Sequence, residues 1–298
     1  MHVGFAVPVS GAWATPADQV QIAQRAEELG YHSLWTLQRL LNPAGSGDET
    51  YRNVPDPFIT LAYLAGFTRT ARLGVAIANL PFYSPALLAK QAATLDHVTG
   101  GRLDLGLGLG WMREEFAASG VPYERRGARA EEFLAALRSL WHDEVSEFHG
   151  EFYDFPPVRM EPAPLQAPEL PILLGGASEP ALRRAGRLAA GWVSSSRADP
   201  TSLGASIDVV RDAAAKAGRD PDALRFVSRA AVRIRPGGAA DRRPLTGTCD
   251  EIRADFDAIA RQGVTELFVD LNFDPRVTGD PAEATRLAGE ALEAFAPR

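Results

Sequence analysis

The sequence predicts an α/β protein of the (β/α)8 class, the TIM barrel, as a single domain over residues 1–298. Three observations carry this prediction. The length of 298 residues is usual for one such barrel. Short, nearly continuous apolar runs, typical of buried parallel strands, occur eight times along the chain. Each run is followed by a segment with helical spacing of apolar residues, and this alternation favours a closed parallel barrel over a doubly wound sheet.

Capping residues and glycines mark where the predicted elements begin and end. Thr15 followed by Pro16 predicts a helix start, as does Ser84, and the pair Gly100 and Gly101 predicts a helix end. The predicted strands are residues 3–9, 32–37, 72–80, 102–109, 170–174, 191–196, 224–234 and 266–273. The predicted helices are residues 16–29, 57–68, 85–98, 128–141, 178–190, 201–217, 250–262 and 281–295.

Two segments stand outside this alternation. Residues 146–166 predict a β-hairpin insert between helix four and strand five. Residues 38–55 predict a long loop after strand two. Because long connections of a barrel often carry function, we expect either segment to border a pocket.

Composition excludes several classes of function. Acidic residues outnumber basic ones by 38 to 31, for a net charge of −7, so nucleic acid is not an expected partner. Cys249 is the only cysteine, which excludes an intrachain disulfide and a cysteine-based metal site. The five histidines show no two-ligand helical spacing, so no metal is expected. With no membrane-spanning apolar stretch and no secretory signal at the first strand, we expect a cytoplasmic protein.

The stretch GGRLDLGLGLGWMREEF, residues 100–116, raises the question of a phosphate-binding loop. Gly106, Gly108 and Gly110 fall at every second position, whereas the dinucleotide fingerprint needs its third glycine three positions after the second. A period of two belongs to a strand. We therefore assign the stretch to the fourth barrel strand, with these glycines on one face of the barrel wall.

Functional residues of such a barrel lie just after the strands, at their carboxyl ends. After strand five, residues 175–178 open into a helix; they form either a phosphate site at the helix N-terminus or a tight turn with an ordinary N-cap. After strand six, Ser195 and Arg197 either hold an oxygen-rich ligand or belong to a polar loop. Arg125, Arg126 and Arg129 mark either a solvated helix start, which we favour, or a place where one of the three reaches a cofactor phosphate.

Charged residues also fall on strands seven and eight. Arg229 and Arg233 lie on the predicted strand seven, and Asp270 stands near the end of strand eight. A charge on a barrel strand needs a partner, either a ligand or an internal ion pair. Of these two possibilities we favour ion pairs.

Three long stretches are SPALLAKQAATLDHVTGGRLDLGLGLGWMREEF, ERRGARAEEFLAALRSLW and LPILLGGASEPALRRAGRLAAGW. Together they resemble the bacterial luciferase-like superfamily of flavin- and deazaflavin-dependent oxidoreductases. The likeness is strongest to the branch of coenzyme F420-dependent oxidoreductases, and it covers nearly the whole chain. It implies that the coenzyme ring lies at the C-terminal mouth of the barrel and supplies most of the chemistry.

The resemblance also implies a cofactor site. In this family a bulge with a non-prolyl cis peptide at the end of strand three presses on the back of the ring, and the matching bond is Ala76–Ile77. The strand-four glycines would leave room for the ring, and the turn after strand five becomes the preferred phosphate or ribityl contact. The implied cofactor-binding residues are Ala76, Ile77, Gly108, Gly110, Gly175, Gly176, Ala177, Ser178 and Trp192.

Two departures from the family pattern bear on mechanism. Gln38 and Arg39 stand where many relatives have an Asp-His pair, and Trp111 stands where the sugar-phosphate dehydrogenase branch has an acidic Glu. Without those proton-handling groups, hydride transfer with Arg39 stabilising negative charge is favoured over oxidation of alcohols or sugar phosphates. We therefore expect catalytic roles for Arg39 and Trp111, and substrate contacts from Ser195, Arg197 and Asp270.

These observations support a leading hypothesis and two alternatives. The leading hypothesis is an oxidoreductase that moves a hydride between coenzyme F420 and a small organic substrate such as an imine, enone or carbonyl. The first alternative is a two-component monooxygenase that uses reduced FMN and oxygen. The second, motivated by the missing proton-handling residues, is a non-catalytic cofactor-binding barrel. The resemblance adds the expectation of a homodimer, and no membrane partner is expected.

Overall fold

Eight parallel strands close into a barrel in the computed structural model, which describes residues 1–44, 49–237 and 241–297. Each strand pairs with its neighbours in chain order, and the eighth pairs with the first, which confirms the predicted (β/α)8 class. The strands are β1 (His2–Ala6), β2 (Ser33–Thr36), β3 (Arg72–Asn79), β4 (Leu103–Gly108), β5 (Ile172–Gly175), β6 (Gly191–Val193), β7 (Arg225–Ala231) and β8 (Glu266–Asp270).

A helix follows each strand, and the predicted caps hold the helix ends. The hydroxyls of Thr15 and Ser84 accept hydrogen bonds from backbone N–H groups three residues on, and Gly100 ends its helix with φ of 67°. The helices are α1 (Pro16–Glu28), α2 (Pro57–Ala65), α3 (Pro85–Thr99), α4 (Arg126–His142), α5 (Glu179–Leu188), α6 (Leu203–Lys216), α7 (Cys249–Ala260) and α8 (Pro281–Phe295). Short helices also cover Arg113–Ala118 and Pro275–Gly279.

Two apolar layers hold the fold together. Inside the barrel, Trp35 stacks on Phe268 with ring centroids 5.1 Å apart, among small and branched side chains from the other strands. Between the barrel and its helices lies a larger layer rich in leucine, from Leu34 on β2 to Leu292 on α8. Burial of this apolar surface is the main force that keeps the helices on the barrel.

The amino-terminal end of the barrel is filled by paired charges. Asp104 is fully buried and accepts hydrogen bonds from Arg72 (2.9 and 2.7 Å) and Arg225 (2.6 and 3.0 Å). Arg225 also donates to Glu266 at 2.8 Å. Burial alone would raise the pKa of Asp104, but the two guanidinium groups outweigh it and lower that pKa. These four charged side chains are therefore paired with one another.

One residue is inserted in β3 opposite β4. Val75 pairs with Leu105 and Ala78 with Leu107, so three residues of β3 span two of β4. The Ala76–Ile77 peptide bond within this bulge is cis, as the resemblance implied. A Cβ at Gly106 would lie 2.0 Å from the carbonyl oxygen of Val75. This glycine therefore makes room for the bulge itself, whereas the sequence suggested room for a ring.

The insert at residues 146–166 contains the predicted hairpin, with strands Ser146–His149 and Asp154–Val158 antiparallel. The prediction for strand seven was too long. The strand leaves the barrel after Ala231, and Arg233 lies in a separate two-residue strand that pairs with Thr246. Arg233 is exposed and is not a charge on the barrel wall.

In the predicted loop 38–55, residues 45–48 lie outside the described part of the chain, as does residue 298 of the predicted domain. A bilayer-spanning helix would need more length and apolar character than any helix in the described ranges has. Nor do the described residues bring three or more His, Cys, Asp or Glu side chains together in a way that suits a metal ion.

Candidate active site

A cavity of about 350 Å³ lies at the carboxyl ends of strands β2 to β7, a size within the range of small-molecule sites. The loop after β2 contributes to its wall through Gln38, Arg39 and Tyr51, as predicted, whereas the hairpin insert contributes none of its described residues. Predicted site residues among its lining are Arg39, Ala76, Ile77, Gly108, Gly110, Trp111, Gly175, Gly176, Ala177, Ser178 and Ser195.

The floor of the cavity is formed by Ile77, seated on glycines of two strands. A Cβ at Gly108 would lie 2.3 Å from Ile77 Cδ1, and one at Gly175 would lie 3.1 Å from Ile77 Cγ2. Both glycines therefore accommodate the Ile77 side chain. Gly110, beyond the end of β4, has φ of +71° and faces Phe116. The strand-four glycines thus support the floor indirectly, through the β3 bulge.

The turn between β5 and α5 leaves polar groups free to face a ligand. Ser178 is the N-cap residue of α5, but its side chain makes no capping hydrogen bond. Gly176 has φ of +135°, and a Cβ there would lie 2.6 Å from Ala181 Cβ. Trp192 is buried behind the turn and donates from Nε1 to the Gly176 carbonyl at 2.8 Å, so it supports the turn without lining the cavity.

Arg126 at the start of α4 also lines the cavity, and no carboxylate among the described residues pairs with it. Its guanidinium carbon lies 3.9 Å from the centroid of the Tyr123 ring. An unpaired cation near a free helix N-terminus is a combination suited to a phosphate group.

Arg39 is held in a fixed position in the wall of the cavity. Its side chain is 6% exposed, and its Nη1 donates to Glu115 Oε2 at 2.9 Å. The aromatic rings of Tyr51 and Trp111 lie 4.3 and 4.9 Å from its guanidinium carbon. Glu115 is fully buried and also accepts from the Leu40 backbone at 2.8 Å. Arg39 therefore has a fixed position, and its charge is balanced on one side only.

Sequence reasoning missed Glu115, which lies in the short helix after Trp111. Nothing in its local pattern separates it from its exposed neighbour Glu114, because its partner Arg39 is 76 residues away in the chain. Its position four residues after Trp111 and beside Phe116 was the only available signal, and that signal does not identify a partner.

A second buried pair lies deeper in the barrel. Arg229 Nε donates to Asp270 Oδ2 at 2.6 Å, which confirms the predicted ion pair, and Arg229 Nη1 donates to the Ala76 carbonyl at 3.1 Å. Asp270 is fully buried and also accepts from the backbone and side chain of Asn272. Arg229 lines the cavity, and Asp270 lies behind it as its ion-pair partner.

The loop after β6 has features of both predicted alternatives, a polar loop and a loop that faces a ligand. Ser194 accepts from the Arg229 backbone at 3.0 Å, and Ser195 accepts from the Arg197 backbone at 3.2 Å, as in a polar loop. Ser195 nevertheless lines the cavity. The Arg197 side chain is exposed, outside the lining, with its guanidinium carbon 5.3 Å from the centroid of the Trp111 ring.

Gln38 stands at one of the two positions of the family's proton-handling pair, but its side-chain amide makes hydrogen bonds within the protein. Its Oε1 accepts from the Asn79 backbone at 2.8 Å, and its Nε2 donates to the Tyr83 hydroxyl. Burial and the charge of Asp56 raise the pKa of Tyr83 to about 12, so this phenol stays protonated at neutral pH. The group therefore positions the end of β3 and offers no titrating base.

The charges on the cavity wall are of one sign. Three arginines line it, and none of the described lining residues is an aspartate or glutamate. This is notable in a chain with a net charge of −7. A wall of this kind favours anionic ligands over cationic ones.

The family model that matches this chain, luciferase-like monooxygenase, aligns with residues 2–295. The chain belongs to the luciferase-like family. Among its relatives, an uncharacterized protein of Mycobacterium tuberculosis strain H37Rv is 36% identical over 213 residues, which cover 67% of this chain and 72% of that protein. The FMNH2-dependent dimethylsulfone monooxygenase of Pseudomonas putida is 37% identical over 203 residues, which cover 66% of this chain and 53% of that protein.

Solved structures show the same luciferase-like barrel. The monooxygenase RslO1 from Streptomyces bottropensis matches with a TM-score of 0.81 at 25% identity, covering 99% of this chain and 98% of that one. An F420-dependent secondary alcohol dehydrogenase matches with a TM-score of 0.78 at 18% identity, covering 91% and 95%. Proteins similar to this chain in sequence or fold thus include a flavin-dependent monooxygenase and an F420-dependent dehydrogenase.

Proposed function

We propose that this luciferase-like protein is an oxidoreductase that moves a hydride between coenzyme F420 and a small organic substrate such as an imine, enone or carbonyl. The observation that carries the choice of coenzyme is a groove lined by arginines next to the β5–α5 turn. The lining of the groove starts at Glu179, the residue after Ser178 of the expected phosphate site.

The described residues fit a planar ring coenzyme. Ile77 provides an apolar floor. Glycines at positions 108 and 175 leave space for its side chain, because a Cβ at either position would crowd it. The free hydroxyl of Ser178 and the unpaired Arg126 suit the phosphate at the other end of the ligand. In this proposal Ala76, Ile77, Gly108 and Gly110 lie under the ring, and residues 175–178 contact the tail.

The adjoining groove is lined by Arg183, Arg184 and Arg187 together with Glu131 and Glu179. Arg183 pairs with Glu179 and Asp212, whereas Arg184 and Arg187 share the single carboxylate of Glu131. It begins next to Ser178 and is continuous with the start of α4, where a Cβ at residue 127 would lie 2.9 Å from Arg184 Nη2. FMN ends at its phosphate, whereas F420 continues into a phosphodiester and glutamate tail. The groove therefore favours F420.

The side chains around the substrate position would act by binding and by charge. When bound, the reduced coenzyme supplies a hydride to an electrophilic carbon of the substrate. Arg39 and Trp111 line the cavity, and Arg39 can stabilise negative charge that develops on a substrate oxygen or nitrogen. Asp, Glu and His are missing from the described lining, so a conjugated or pre-activated acceptor suits the site better than an alcohol.

A second candidate function is a monooxygenase that uses reduced FMN and oxygen. It is favoured by one observation, the 37% identity to the FMNH2-dependent dimethylsulfone monooxygenase. The same floor and phosphate turn would hold FMN. In that case the arginine groove beyond Ser178 would have no part of the cofactor to bind.

Titration of the purified protein with F420, FMN and the tail-less deazaflavin chromophore separates the two candidates. We expect micromolar affinity for F420 and at least 10-fold weaker binding of the other two, since charge-assisted contacts contribute about that factor each. The double variant Arg183→Gln/Arg187→Gln should weaken F420 several-fold and leave the tail-less chromophore unchanged. Arg159→Gln, a 64% exposed arginine on the hairpin, is the matched control. Micromolar FMN binding without F420 binding would establish the second candidate.

We also propose that the protein is a cytoplasmic homodimer, and α2 offers a surface for the second copy. Ile59 and Tyr63 lie four residues apart on α2 and are 73% and 43% exposed, and Phe67, just beyond the helix, is 40% exposed with its ring centroid 5.0 Å from that of Tyr63. Residues four apart share one face of a helix. A row of exposed apolar side chains of this kind is typical of an association surface.

A further inference from the structure

We infer that the substrate carries a carboxylate, and that the Nε–Nη2 edge of Arg39 binds it. This inference rests on the proposed function only in taking the cavity as the substrate site. It narrows the substrate from any small electrophile to an anionic one, for example an unsaturated acid or an oxo acid.

The first support is that one edge of the Arg39 guanidinium group has no hydrogen-bond acceptor among the described residues. Glu115 accepts from Nη1, on the other side of the guanidinium group. Nε is buried without an acceptor in the described part of the chain, and Nη2 makes no hydrogen bond to any described residue. A buried donor without a partner is costly and requires an explanation. A carboxylate of the substrate would supply the missing acceptor.

The same edge already binds a carboxylate elsewhere in this protein. At the amino-terminal end of the barrel, Arg72 grips Asp104 through Nε at 2.9 Å and Nη2 at 2.7 Å. This is the bidentate geometry that makes arginine selective for planar carboxylates. Arg39 presents the identical pair of donors at the other end of the barrel, but no described side chain occupies it.

The second support is the set of charged side chains near this edge of Arg39. Arg197 places a second guanidinium 5.3 Å from the Trp111 ring, and no carboxylate among the described residues pairs with it. The lining of the cavity includes no described carboxylate that would repel an anion. Among the described residues, an anion beside Trp111 would therefore have two cations nearby, Arg39 and Arg197, and no carboxylate of the cavity lining.

Arg39 is also pre-organised for binding. The contact with Glu115 and the rings of Tyr51 and Trp111 fix its side chain before a ligand arrives, so little rotamer entropy is lost on binding. Trp111 is 52% exposed, and its ring lies 4.9 Å from the Arg39 guanidinium carbon. The other four tryptophans are each no more than 4% exposed, so Trp111 is the indole that responds to a ligand at the surface.

The test uses the full chain without cofactor. Tryptophan fluorescence and calorimetry follow titration with benzoate, cinnamate and butanoate, each paired with its neutral carboxamide. We expect at least one carboxylate to bind 10-fold or more tightly than its amide, since a bidentate charged contact contributes about that factor. The fluorescence response should disappear in Trp111→Phe, while calorimetry still detects binding.

Arg39→Lys tests the role of the Nε–Nη2 edge. Lysine keeps a positive charge beside Glu115 but lacks the planar guanidinium group with its pair of donors. This variant should reduce the preference for carboxylate over amide about 10-fold, and Arg197→Gln should reduce it several-fold. Arg159→Gln should change nothing. The inference is overturned if no carboxylate outcompetes its amide by 3-fold, or if Arg39→Lys retains the preference. Because these titrations contain no cofactor, loss of F420 binding would refute the proposed function without affecting this result.

Discussion

The floor of the site depends on a fit between Ile77 and Gly108, and this fit predicts the effect of one added methyl group. In Gly108→Ala the new Cβ would lie 2.3 Å from Ile77 Cδ1 and 3.0 Å from Cγ1. Carbon atoms in ordinary contact are about 3.5–4.0 Å apart, so the overlap is about 1.2–1.7 Å. Ile77 must move, and the direction open to it is the cavity that it lines.

The expected loss of unfolding free energy in each glycine variant depends on which atoms the added methyl group meets. Overpacking of a core by one methyl group costs about 1–3 kcal/mol of unfolding free energy. The far end of a flexible side chain can yield, so Gly108→Ala should fall in the lower part of that range. At Gly106 the added Cβ would meet the Val75 carbonyl oxygen at 2.0 Å, and backbone cannot yield as easily. Gly106→Ala should therefore cost more.

A double-mutant cycle with Ile77→Ala measures this coupling. In the Ile77→Ala background the methyl group of Gly108→Ala has free space, so its cost should fall by about 1 kcal/mol or more. The same background should not rescue Gly106→Ala, whose obstacle is main chain. Urea denaturation gives the free energies, and titration with F420 or FMN reports whether the floor is disturbed. Equal costs for Gly108→Ala in the two backgrounds would refute the proposed fit.

Three further predictions concern parts of the fold away from the cavity. Gly289→Ala, in the interior of α8 with open space around it, should raise the free energy of unfolding by about 0.4–1 kcal/mol; a loss would contradict this. Asp104→Asn should cost about 3–5 kcal/mol at pH 7, because it leaves buried arginine charge unpaired. Since folding lowers the Asp104 pKa, its contribution is complete above about pH 4 and is lost as pH falls through the folded-state value. Denaturation measured from pH 7 to pH 3 should therefore show a shallower loss in the variant than in the wild type, and parallel curves would argue against this role. Ile59→Asp should shift a dimer to monomer in sedimentation experiments, whereas the equally charged Val145→Asp should not; an unchanged dimer would move the interface elsewhere.

The order of strands and helices could be predicted because local chemistry marks it. Apolar runs identify the buried strands, and residues such as Thr15, Ser84 and Gly100 fix helix ends through contacts within one turn. Strand seven was predicted too long because alternation continues past the point where the chain leaves the barrel at Ala231. The departure depends on pairing with residue 246, which no local pattern reveals.

The site was harder to predict, because its key contacts join distant segments. The glycine period at residues 106–110 correctly indicates a strand, but not that Val75 and Ile77 fill the space it leaves. The bulge at Ala76–Ile77 came from family resemblance and has no signature in the pattern of apolar residues. Arg39 stood out by position alone. Its buried partner Glu115, and hence which edge of Arg39 stays free, required the three-dimensional structure.

The two ends of the barrel use arginine–carboxylate pairs in different ways, and this difference indicates where a ligand binds. At the amino-terminal end, Asp104 receives both donors of an edge from each of two arginines, so all of its acceptor capacity is used inside the protein. At the cavity, Glu115 accepts a hydrogen bond from Nη1 of Arg39 through one oxygen. Its other oxygen accepts a hydrogen bond from the Leu40 backbone N–H. The first arrangement is complete without a ligand. The second leaves Nε of Arg39 buried without an acceptor among the described residues, beside an unbonded Nη2, and a carboxylate is an acceptor whose geometry fits this pair of donors.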